Sequence, residues 1–517
     1  MSERNVTRRA LLGWIGRSAG SAGVLQAACA MGLIQPLASE DAYRPRPADR
    51  GLRVVILGAG IGGLTAAYEL DRAGYDVVVL EAAQRAGGRN LTVRGGDRID
   101  EVGSPQTCPF DADPALYLNA GPARIPAVHT ALLHYCKELS VRLELFVNDN
   151  RNAWVHDEQV AGGAPIRNRQ LVNDSRGFIA ELASKAAIEL DRPATVPEQQ
   201  RLTAFLSRFG DLDTQLHYGG SVRGGIRSGG ITTAPITNDT LDFSQVIRSQ
   251  FAYLGMNWGE QIYQAGPMLQ PVGGMDRIVD AFMREVGRHV RLGAEVRGIQ
   301  AHDTHVDVTY TAGGAQQSIR ADYCFDSLPT HRIPQLAHNL PADYVAALSA
   351  LPHGKLSKIG LQARDRFWED EQIYGGISWT SQPIQQIGYP SHGFHDRKGI
   401  LVGAYVFDDA ASEALAQLAP EERIAEAIRQ GTRVHPAYAE HVECGVSIAW
   451  HRMRHVFGCA ARWTDELRAR HFETLQRPVG RHYLIGDQVS YAPGWQEGAI
   501  RSAQAAMRDL DARRAAG

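Results

Sequence analysis

Residues 54–89 read VVILGAGIGGLTAAYELDRAGYDVVVLEAAQRAGGR and carry the strongest indication of the fold. An apolar run ends in glycines and is followed by apolar residues at helical spacing and by a second apolar run. This order predicts a strand, a helix and a parallel strand. Gly58, Gly60 and Gly63 form G-x-G-x-x-G, and Glu81 ends the second strand. The pattern is typical of the first unit of a Rossmann-like α/β domain that binds a dinucleotide.

Each residue of this pattern has a physical role. Gly58 permits the tight turn, Gly60 lets backbone amides approach a pyrophosphate, and Gly63 lets the helix pack on the strand. The N-terminus of the helix favours the negative charge of the diphosphate. Glu81 is placed to accept hydrogen bonds from ribose hydroxyls. The alternative, a chance glycine-rich turn, does not account for the flanking strand, helix and acid.

Composition bounds the class of protein. The chain has 517 residues, enough for two or three domains, and a net charge of −3, which gives no field toward nucleic acid or an anionic membrane. It contains no uninterrupted apolar stretch of about 20 residues, so we expect no membrane span. The six cysteines form no C-x-x-C pair, so the sequence predicts no metal site.

The N-terminus resembles an export signal. Residues 1–39 contain Thr7-Arg8-Arg9 before a weakly apolar, Ala- and Gly-rich region, as in twin-arginine signals, although Arg17 interrupts that region. Small residues near Ala38 suit cleavage, and residues 40–50 read as a proline-rich linker. The resemblance implies a periplasmic or secreted protein. The alternative is an uncleaved N-terminal helix of a cytoplasmic enzyme.

The residues after the second strand indicate the cofactor. Glu81-Ala82 is followed by Arg85, Gly88 and Arg89 in the pattern E-A-x-x-R-x-G-G-R. This pattern resembles the flavin amine oxidase superfamily, where the loop closes over FAD. The resemblance implies FAD as a prosthetic group, with Arg89 near the flavin phosphates. It also implies a GR2-type FAD-binding domain assembled from discontinuous segments, a mixed-sheet substrate domain and a helical insertion.

A second motif lies in YLNAGPARIP, residues 117–126. It resembles the G-P-x-R-I/L-P motif of L-amino acid oxidases, which includes Gly121, Pro122, Ala123 and Arg124 here. An isolated arginine in an apolar run must face a cavity or an acidic partner, because an unpaired buried charge is very costly. The resemblance implies that Arg124 holds the substrate carboxylate, a bidentate task suited to guanidinium. The alternative is a structural ion pair with a neighbouring acid.

Two further residues are assigned by resemblance. The segment SKIGL aligns Lys358 with the lysine that binds a water near flavin N5, where a cation would assist the reaction of the reduced flavin with O2. The alternative for Lys358 is a surface or edge residue. The segment IGYPS resembles the tyrosine-proline turn of the oxidases, so Tyr389 is expected to join Arg124 at the carboxylate. Trp379 is either a pocket wall or a core residue.

The C-terminal segment, residues 482–507, resembles the last motif of the superfamily. Asp487 is expected to bind the flavin ribitol or phosphate, Gly494 to offer its carbonyl to the substrate amine, and Trp495 to pack near both. Val296 is expected to contact adenine through its backbone. The predicted cofactor-binding residues are Gly58, Gly60, Gly63, Glu81, Arg85, Gly88, Arg89, Gly121, Pro122, Ala123, Arg124, Val296, Gly486, Asp487, Gly494, Trp495 and Ala499.

Cys459 raises the question of a covalent flavin. It lies nine residues after Trp450, a spacing that resembles the flavin-linked cysteine of monoamine oxidases. Its context is FGCAARW, however, and not S-G-G-C-Y. We therefore expect FAD to be bound non-covalently.

The resemblance spans residues 51–511 and implies the activity. The expected reaction is FAD-dependent oxidative deamination of L-amino acids to 2-oxo acids, with ammonia and H2O2, by hydride transfer from Cα to flavin N5 and reoxidation by O2. Alternatives are a decarboxylating amino acid 2-monooxygenase, an amine oxidase and, least favoured, a non-catalytic binding protein. A homodimer is possible on the same resemblance. The expected domains are an FAD-binding domain (51–95, 265–345 and 445–517), a substrate-binding domain (96–150, 245–264 and 346–444) and a helical domain (151–244).

Overall fold

A computed structural model describes residues 43–48, 51–186 and 195–516. The expected export signal, residues 1–39, lies outside the described residues. The same is true of residues 40–42, 49 and 50 of the linker. The elements below all belong to one compact unit, Arg44–Gly517. In the described part of the chain, no helix combines the length and apolarity that a membrane crossing needs.

A five-stranded parallel sheet forms the nucleotide-binding part of the fold. Its strands, in spatial order, are Val290–Leu292, Asp76–Glu81, Arg53–Leu57, Tyr323–Asp326 and His482–Leu484. Its two central strands are almost wholly apolar, as expected for a sheet covered on both faces. The strands come from three separate stretches of the chain, so the sheet is assembled from discontinuous segments.

The two faces of the parallel sheet are covered differently. A four-stranded sheet packs on one face through a shared apolar core that includes Val55, Leu80 and Val308. Its strands are Ala315–Ala321, Val306–Ala312, Glu295–Ala301 and Ala337–His338. On the other side, helix Ile61–Arg72 packs against helices Asp276–Val286 and Gln496–Ala516. The result is a three-layer α/β arrangement.

A seven-stranded mixed sheet forms the second large layer. Its strands, in spatial order, are Ile166–Arg167, Trp154–His156, Gly376–Thr380, Gln386–Tyr389, Gly399–Val406, Ser357–Ala363 and Val442–Ala449. One face packs on a core that contains Ile359, Ala404 and Tyr389, together with helices Asp409–Ala416 and Pro420–Gly431. The opposite face packs on Leu118 and Trp450.

The remaining elements connect these layers. The small sheets pair Thr92–Val93 with Leu118–Asn119, Arg98–Ile99 with Gln106–Thr107, Met268–Pro271 with both Ile125–Pro126 and Leu143–Phe146, and Ile226–Ser228 with Ile236–Thr237. The other α-helices are Thr130–Glu138, Asn168–Ala186, Val196–Gly210, Phe243–Arg248, Gln250–Asn257, Ala342–Ala350, Phe367–Asp370, Tyr438–His441, Asp465–Leu467 and Glu473–Gln476.

The region expected to be mostly helical differs in two places. Residues 154–167 contribute two strands to the seven-stranded sheet. Between Gly210 and Asp242 the chain forms turns, a short 3-10 turn and the hairpin of Ile226–Ser228 with Ile236–Thr237. The sequence GGSVRGGIRSGG, residues 219–230, explains this difference, because glycine is unfavourable in a helix interior by about 1 kcal/mol relative to alanine.

Candidate active site

A cavity of about 780 Å³ lies between the parallel sheet and the seven-stranded sheet. Its walls include the glycine turn after the first strand, the loop of residues 81–91, residues 120–122 and the segment from Gly486 to Ala499. The carboxyl ends of parallel strands meet at this place, which is the usual position of a ligand in an open α/β sheet.

The turn at Gly58 is built for close approach. A Cβ at Gly63 would lie 2.1 Å from the Gly58 carbonyl oxygen, so only glycine lets the helix start this near the strand. Gly60 is the N-cap of helix Ile61–Arg72, and no side chain caps the free amides at this end. Ile61 and Gly62 line the cavity. Uncapped amides that face a cavity fit a diphosphate group.

Glu81 has a structural role besides the expected contact with ribose. Its two carboxylate oxygens accept hydrogen bonds from the amides of Ala59 and Ala83, both at 2.8 Å. The side chain thereby joins the glycine turn to the loop that follows the second strand. Glu81 also lines the cavity, so the position is compatible with the predicted binding of ribose hydroxyls.

Arg85 shapes the second loop. Its guanidinium donates to the carbonyls of Gly88 at 2.6 Å and Ala86 at 3.1 Å, both within its own loop. The Gly87 amide donates to the Ala59 carbonyl at 2.7 Å and so docks the loop on the glycine turn. Arg85 and Gly88 line the cavity. The E-A-x-x-R-x-G-G-R pattern therefore specifies a loop whose conformation is stabilised by hydrogen bonds from its own Arg85.

Arg89 and Asp487 are ion-paired across the cavity wall. Arg89 Nη1 lies 3.1 Å from Asp487 Oδ2, and its Nη2 contacts Oδ1. Asp487 Oδ2 also accepts the Gly494 amide at 2.7 Å, and Arg89 donates to the Cys459 carbonyl at 3.0 Å. These four residues line the cavity together. The pair fixes three distant segments around the position where a flavin diphosphate and ribityl chain would lie.

Lys358 is buried at the inner end of the site. It is 1% exposed, and its Nζ donates to the carbonyls of Asn119 at 2.9 Å and Gly121 at 2.8 Å. Burial, together with the neighbouring Arg124 charge, lowers the pKa of Lys358 to about 7. Lys358 is therefore neither a surface nor an edge residue. Lys358 is absent from the cavity wall, but Gly121, one of its two acceptors, belongs to that wall, and the amine is close to its titration point at neutral pH.

Arg124 is a partly buried cation that has no carboxylate partner among the described residues. Its Nη2 donates to Gln264 Oε1 at 2.9 Å, and its Nε has no hydrogen-bond partner in the described part of the chain. The guanidinium lies 5.8 Å from the ring centres of both Trp258 and Trp495. Burial lowers the pKa of Arg124. A desolvated guanidinium with free donors favours an anionic ligand, because an uncompensated buried charge is costly.

Tyr389 does not reach Arg124, and this part of the prediction is corrected. Its hydroxyl lies 2.6 Å from both Ser378 Oγ and His435 Nε2, inside the core on the far face of the seven-stranded sheet. Tyr389 is absent from the cavity wall, as are Arg124 and Lys358, but it is the packing of its side chain in the core of the far face that separates it from the site. Side chains alternate between the faces of a strand, so Tyr389 points away from the side that carries Lys358.

Tyr405, unlike Tyr389, lies on the cavity side of the seven-stranded sheet. It lines the cavity, and the Lys358 Nζ lies 4.2 Å from the centre of its ring. Burial raises the pKa of Tyr405 to about 12, an effect that the nearby Arg124 charge opposes. No recognised motif surrounds Tyr405. The available sequence signal was its place in a strand that could pair with the Lys358 strand.

Aromatic rings surround the region of Arg124. His129 and Tyr263 pack against Trp495, with ring centres 4.9 Å and 5.7 Å away. Trp258 packs edge-on against Trp379 at 5.0 Å. Trp379 is 7% exposed and belongs to an apolar core, which agrees with the core alternative. His129 was not predicted; both of its ring nitrogens are buried without a partner among the residues described.

The other predicted residues fall into two groups. Those that line the cavity are Gly121, Pro122, Val296, Gly486, Gly494, Trp495 and Ala499. Gly63 and Ala123 are absent from the wall, and Gly63 acts through packing. Cys459 also lines the cavity, and burial raises the pKa of its thiol. The structure thus brings residues from five distant segments to one cavity that fits FAD.

The fold and site define a flavin-dependent oxidoreductase, and comparison with known proteins agrees. The model of the family described as flavin containing amine oxidoreductase matches residues 61–510. The chain therefore belongs to this family, whose membership implies an FAD cofactor.

Relatives of established function are L-amino acid oxidases. The enzyme of Demansia vestigiata is 28% identical over 480 residues, which cover 89% of this chain and 86% of that protein. L-amino-acid oxidase BmooLAAO-I of Bothrops moojeni is 28% identical over 485 residues, covering 89% of each chain.

Solved structures with the same fold are amine oxidases. Putrescine oxidase bound to putrescine is 21% identical, with a TM-score of 0.61, covering 89% of this chain and 99% of that chain. Cyclohexylamine oxidase from Brevibacterium oxydans is 17% identical, with a TM-score of 0.61, covering 90% and 99%. At this identity the likeness establishes the amine oxidase fold.

Proposed function

We propose that this protein is an L-amino acid oxidase, which converts L-amino acids to 2-oxo acids with release of ammonia and H2O2. The observation that carries the proposal is Arg124. It is a partly buried guanidinium whose Nε has no hydrogen-bond partner and which has no acidic partner among the described residues, and it lies 5.8 Å from the ring of Trp495, which lines a cavity that fits FAD. A substrate carboxylate would supply the missing anion. A simple amine would leave this cation uncompensated.

On the substrate side, different residues position different groups of the substrate. Arg124 binds the carboxylate, and the Tyr405 hydroxyl, which faces the same side of the sheet, donates a second hydrogen bond to it. Trp258 and Trp495 enclose the bound ligand and exclude water, which strengthens the electrostatic contacts. The Gly494 carbonyl is available to accept from the amine. Holding the ligand by both groups fixes which face of its Cα is presented for reaction.

The residues on the cofactor side hold FAD. The uncapped amides after Gly60 would face the diphosphate, and Arg89, which is fixed by Asp487, would stand beside it. Bound FAD supplies the acceptor for the hydride from Cα and returns the electrons to O2. Lys358 holds a proton at Nζ next to this place, and the carbonyls of Asn119 and Gly121 fix its direction.

We also propose that FAD is held without a covalent bond. The Cys459 thiol lines the cavity, but burial raises its pKa and so disfavours the reactive thiolate. Acid precipitation tests the proposal. Yellow flavin in the supernatant is expected, whereas colour that remains with the denatured protein would demonstrate a covalent link.

The decisive experiment is an anaerobic flavin spectrum during titration with common L-amino acids, their D-enantiomers and simple amines. Bleaching by L-amino acids alone is expected. Bleaching by putrescine or cyclohexylamine would instead assign the protein as an amine oxidase and would leave Arg124 without a purpose. Product analysis separates the remaining alternative, because a decarboxylating 2-monooxygenase yields an amide in place of the 2-oxo acid.

A further inference from the structure

We propose that His302, His305 and Asp307 form a binding site for a divalent transition-metal ion of the zinc type on the surface of the four-stranded sheet. The ligand atoms of the three side chains all lie within 4.8 Å of one another. None of these residues lines the FAD cavity. The site is therefore independent of the proposed oxidase activity.

The hairpin that connects two strands builds the site. Strands Glu295–Ala301 and Val306–Ala312 pair antiparallel, with Ala301 opposite Val306. The next pair outward is His302 and His305, whose backbones are joined by a hydrogen bond of 2.9 Å from the His302 amide to the His305 carbonyl. Directly opposed residues project to the same face, and Asp307 shares that face because it is two residues beyond His305.

The distances approach those of a tetrahedral zinc site. His305 Nε2 lies 3.3 Å from Asp307 Oδ2, and His302 Nε2 lies 3.7 Å from the same oxygen. Ligands bound at 2.0–2.1 Å in a tetrahedron are separated by about 3.4 Å. A small rotation of His302 would therefore complete the three-ligand arrangement. The side chains are partly exposed, so water would occupy the remaining coordination positions.

The surroundings orient one ligand in advance. Thr304 Oγ1 lies 3.1 Å from His305 Nδ1, which leaves Nε2 directed at Asp307. Metal-binding histidines commonly use their second ring nitrogen in this way. The turn itself is tied down, because Arg481 Nε donates to the Asp303 carbonyl at 2.9 Å. Both contacts reduce the reorganisation that metal binding would require.

Arg320 is a built-in competitor of the metal. Its guanidinium binds both Asp307 oxygens, at 2.8 Å and 2.9 Å. A carboxylate oxygen has two lone pairs, so Oδ2 can bind a metal while it accepts from Arg320. The positive charge of Arg320 nevertheless repels a dication. Arg320→Gln should therefore tighten metal binding by roughly three- to tenfold at low salt. If the only role of Asp307 were its structural ion pair with Arg320, the substitution would not tighten metal binding.

Calorimetric titration with Zn2+ tests the proposal on the untagged, full-length holoenzyme after treatment with a chelator. We expect the wild type to bind one Zn2+ per chain. We expect His302→Ala and His305→Ala to lose this binding. Each substitution should weaken Zn2+ binding by at least about 10–100-fold, because that is the loss when a residue that only supports a metal ligand is removed. The control is His134→Ala. His134 Nε2 lies 2.7 Å from Glu138, which also pairs with Arg72, but this cluster lacks a second imidazole.

The outcomes are distinguishable. Zn2+ binding that survives in the double variant His302→Ala/His305→Ala, that disappears in His134→Ala or that is weakened by Arg320→Gln would overturn the proposal. Flavin absorbance and the melting temperature of the zinc-free variants monitor folding. Because the site lies outside the cavity, Zn2+ should leave the flavin spectrum unchanged.

Discussion

Lys358 and Tyr405 are register partners on neighbouring antiparallel strands, and the Lys358 Nζ lies 4.2 Å from the centre of the Tyr405 ring. Directly opposed residues share one face of a sheet, so both side chains lie on the face that carries Tyr405, which lines the cavity. Tyr389 belongs to the next strand and points to the other face, where Ser378 and His435 bind its hydroxyl. This difference of face separates the roles of the two tyrosines.

Tyr405→Phe and Tyr389→Phe form a matched pair of variants. Tyr405→Phe should lower kcat/KM for L-amino acids by roughly tenfold, the effect of one lost hydrogen bond to a charged group of about 1.5 kcal/mol, without loss of stability. Tyr389→Phe should leave kcat/KM near that of the wild type but lower the melting temperature, because two buried partners lose their hydrogen bond. Steady-state kinetics and thermal melting measure the two effects. If instead Tyr389→Phe lowers kcat/KM and Tyr405→Phe does not, Tyr389 is the tyrosine of the substrate site.

Arg124→Met should remove most activity toward L-amino acids while FAD stays bound. Losing a buried, charge-assisted contact to a carboxylate costs about 2–5 kcal/mol, which corresponds to a fall in kcat/KM of roughly 30- to 4,000-fold. Arg124→Lys should lie between Met and the wild type, because an ammonium group cannot make the bidentate contact. An unchanged kcat/KM in Arg124→Met, with full flavin content, would exclude the carboxylate role.

Lys358→Met should slow the reaction of the reduced enzyme with O2 more than it slows flavin reduction by substrate. The reason is the loss of a cation whose pKa is lowered to about 7 by burial. In the wild type this group is protonated below pH 7 and neutral above it, so reoxidation should slow as the pH rises through about 7. Stopped-flow measurement of both half-reactions tests this dependence. If the reoxidation rate is independent of pH and is unchanged in Lys358→Met, Lys358 takes no part in the reaction of the reduced flavin with O2.

Asp487→Asn should weaken FAD binding. The substitution leaves the Arg89 guanidinium without its carboxylate and weakens the anchor of the Gly494 amide. Removal of one charged partner of a part-buried pair costs about 1–3 kcal/mol. Flavin occupancy after gel filtration and the dissociation constant for added FAD measure the effect. Asp509→Asn is the control, since Asp509 pairs with Arg513 on the same C-terminal helix and is absent from the cavity wall. Equal flavin loss in both variants would show that the effect is not specific to Asp487.

His129 should make the protein less stable in mild acid. Burial lowers the pKa of His129 to about 4, whereas the value in the unfolded chain is about 6.5. Between these values the unfolded state binds the proton and the folded state does not, so stability decreases as the pH falls from 6.5 toward 4. The contribution at pH 5 is about 2 kcal/mol.

The test compares unfolding at pH 7.5 and pH 5. Wild type should lose more stability over this interval than His129→Gln, whose side chain does not titrate. Flavin content at both pH values serves as the control, because cofactor loss would also lower stability. Parallel losses in the two proteins would show that His129 does not carry this acid sensitivity.

Much of the cofactor site could be predicted because its signals are local in sequence. The spacing of Gly58, Gly60, Gly63 and Glu81 reflects the geometry of one strand, one turn and one helix. That geometry depends on contacts within about 30 residues. The region after Gly210 shows the limit of such reasoning, because it was expected to belong to a helical domain, but its many glycines favour turns and a hairpin.

The sequence alone determined the fold class and the flavin family, because the backbone geometry of one strand, turn and helix leaves short patterns that can be read directly, whereas the roles of Arg124 and Lys358 stay predictions. Only the tertiary structure decided that Tyr405 lines the cavity while Tyr389 lies in the core, and which surface histidines meet at Asp307. Those answers depend on strand register and on the face to which each side chain points. A shift of one residue in register moves a side chain to the opposite face of the sheet, and no short stretch of sequence specifies that register.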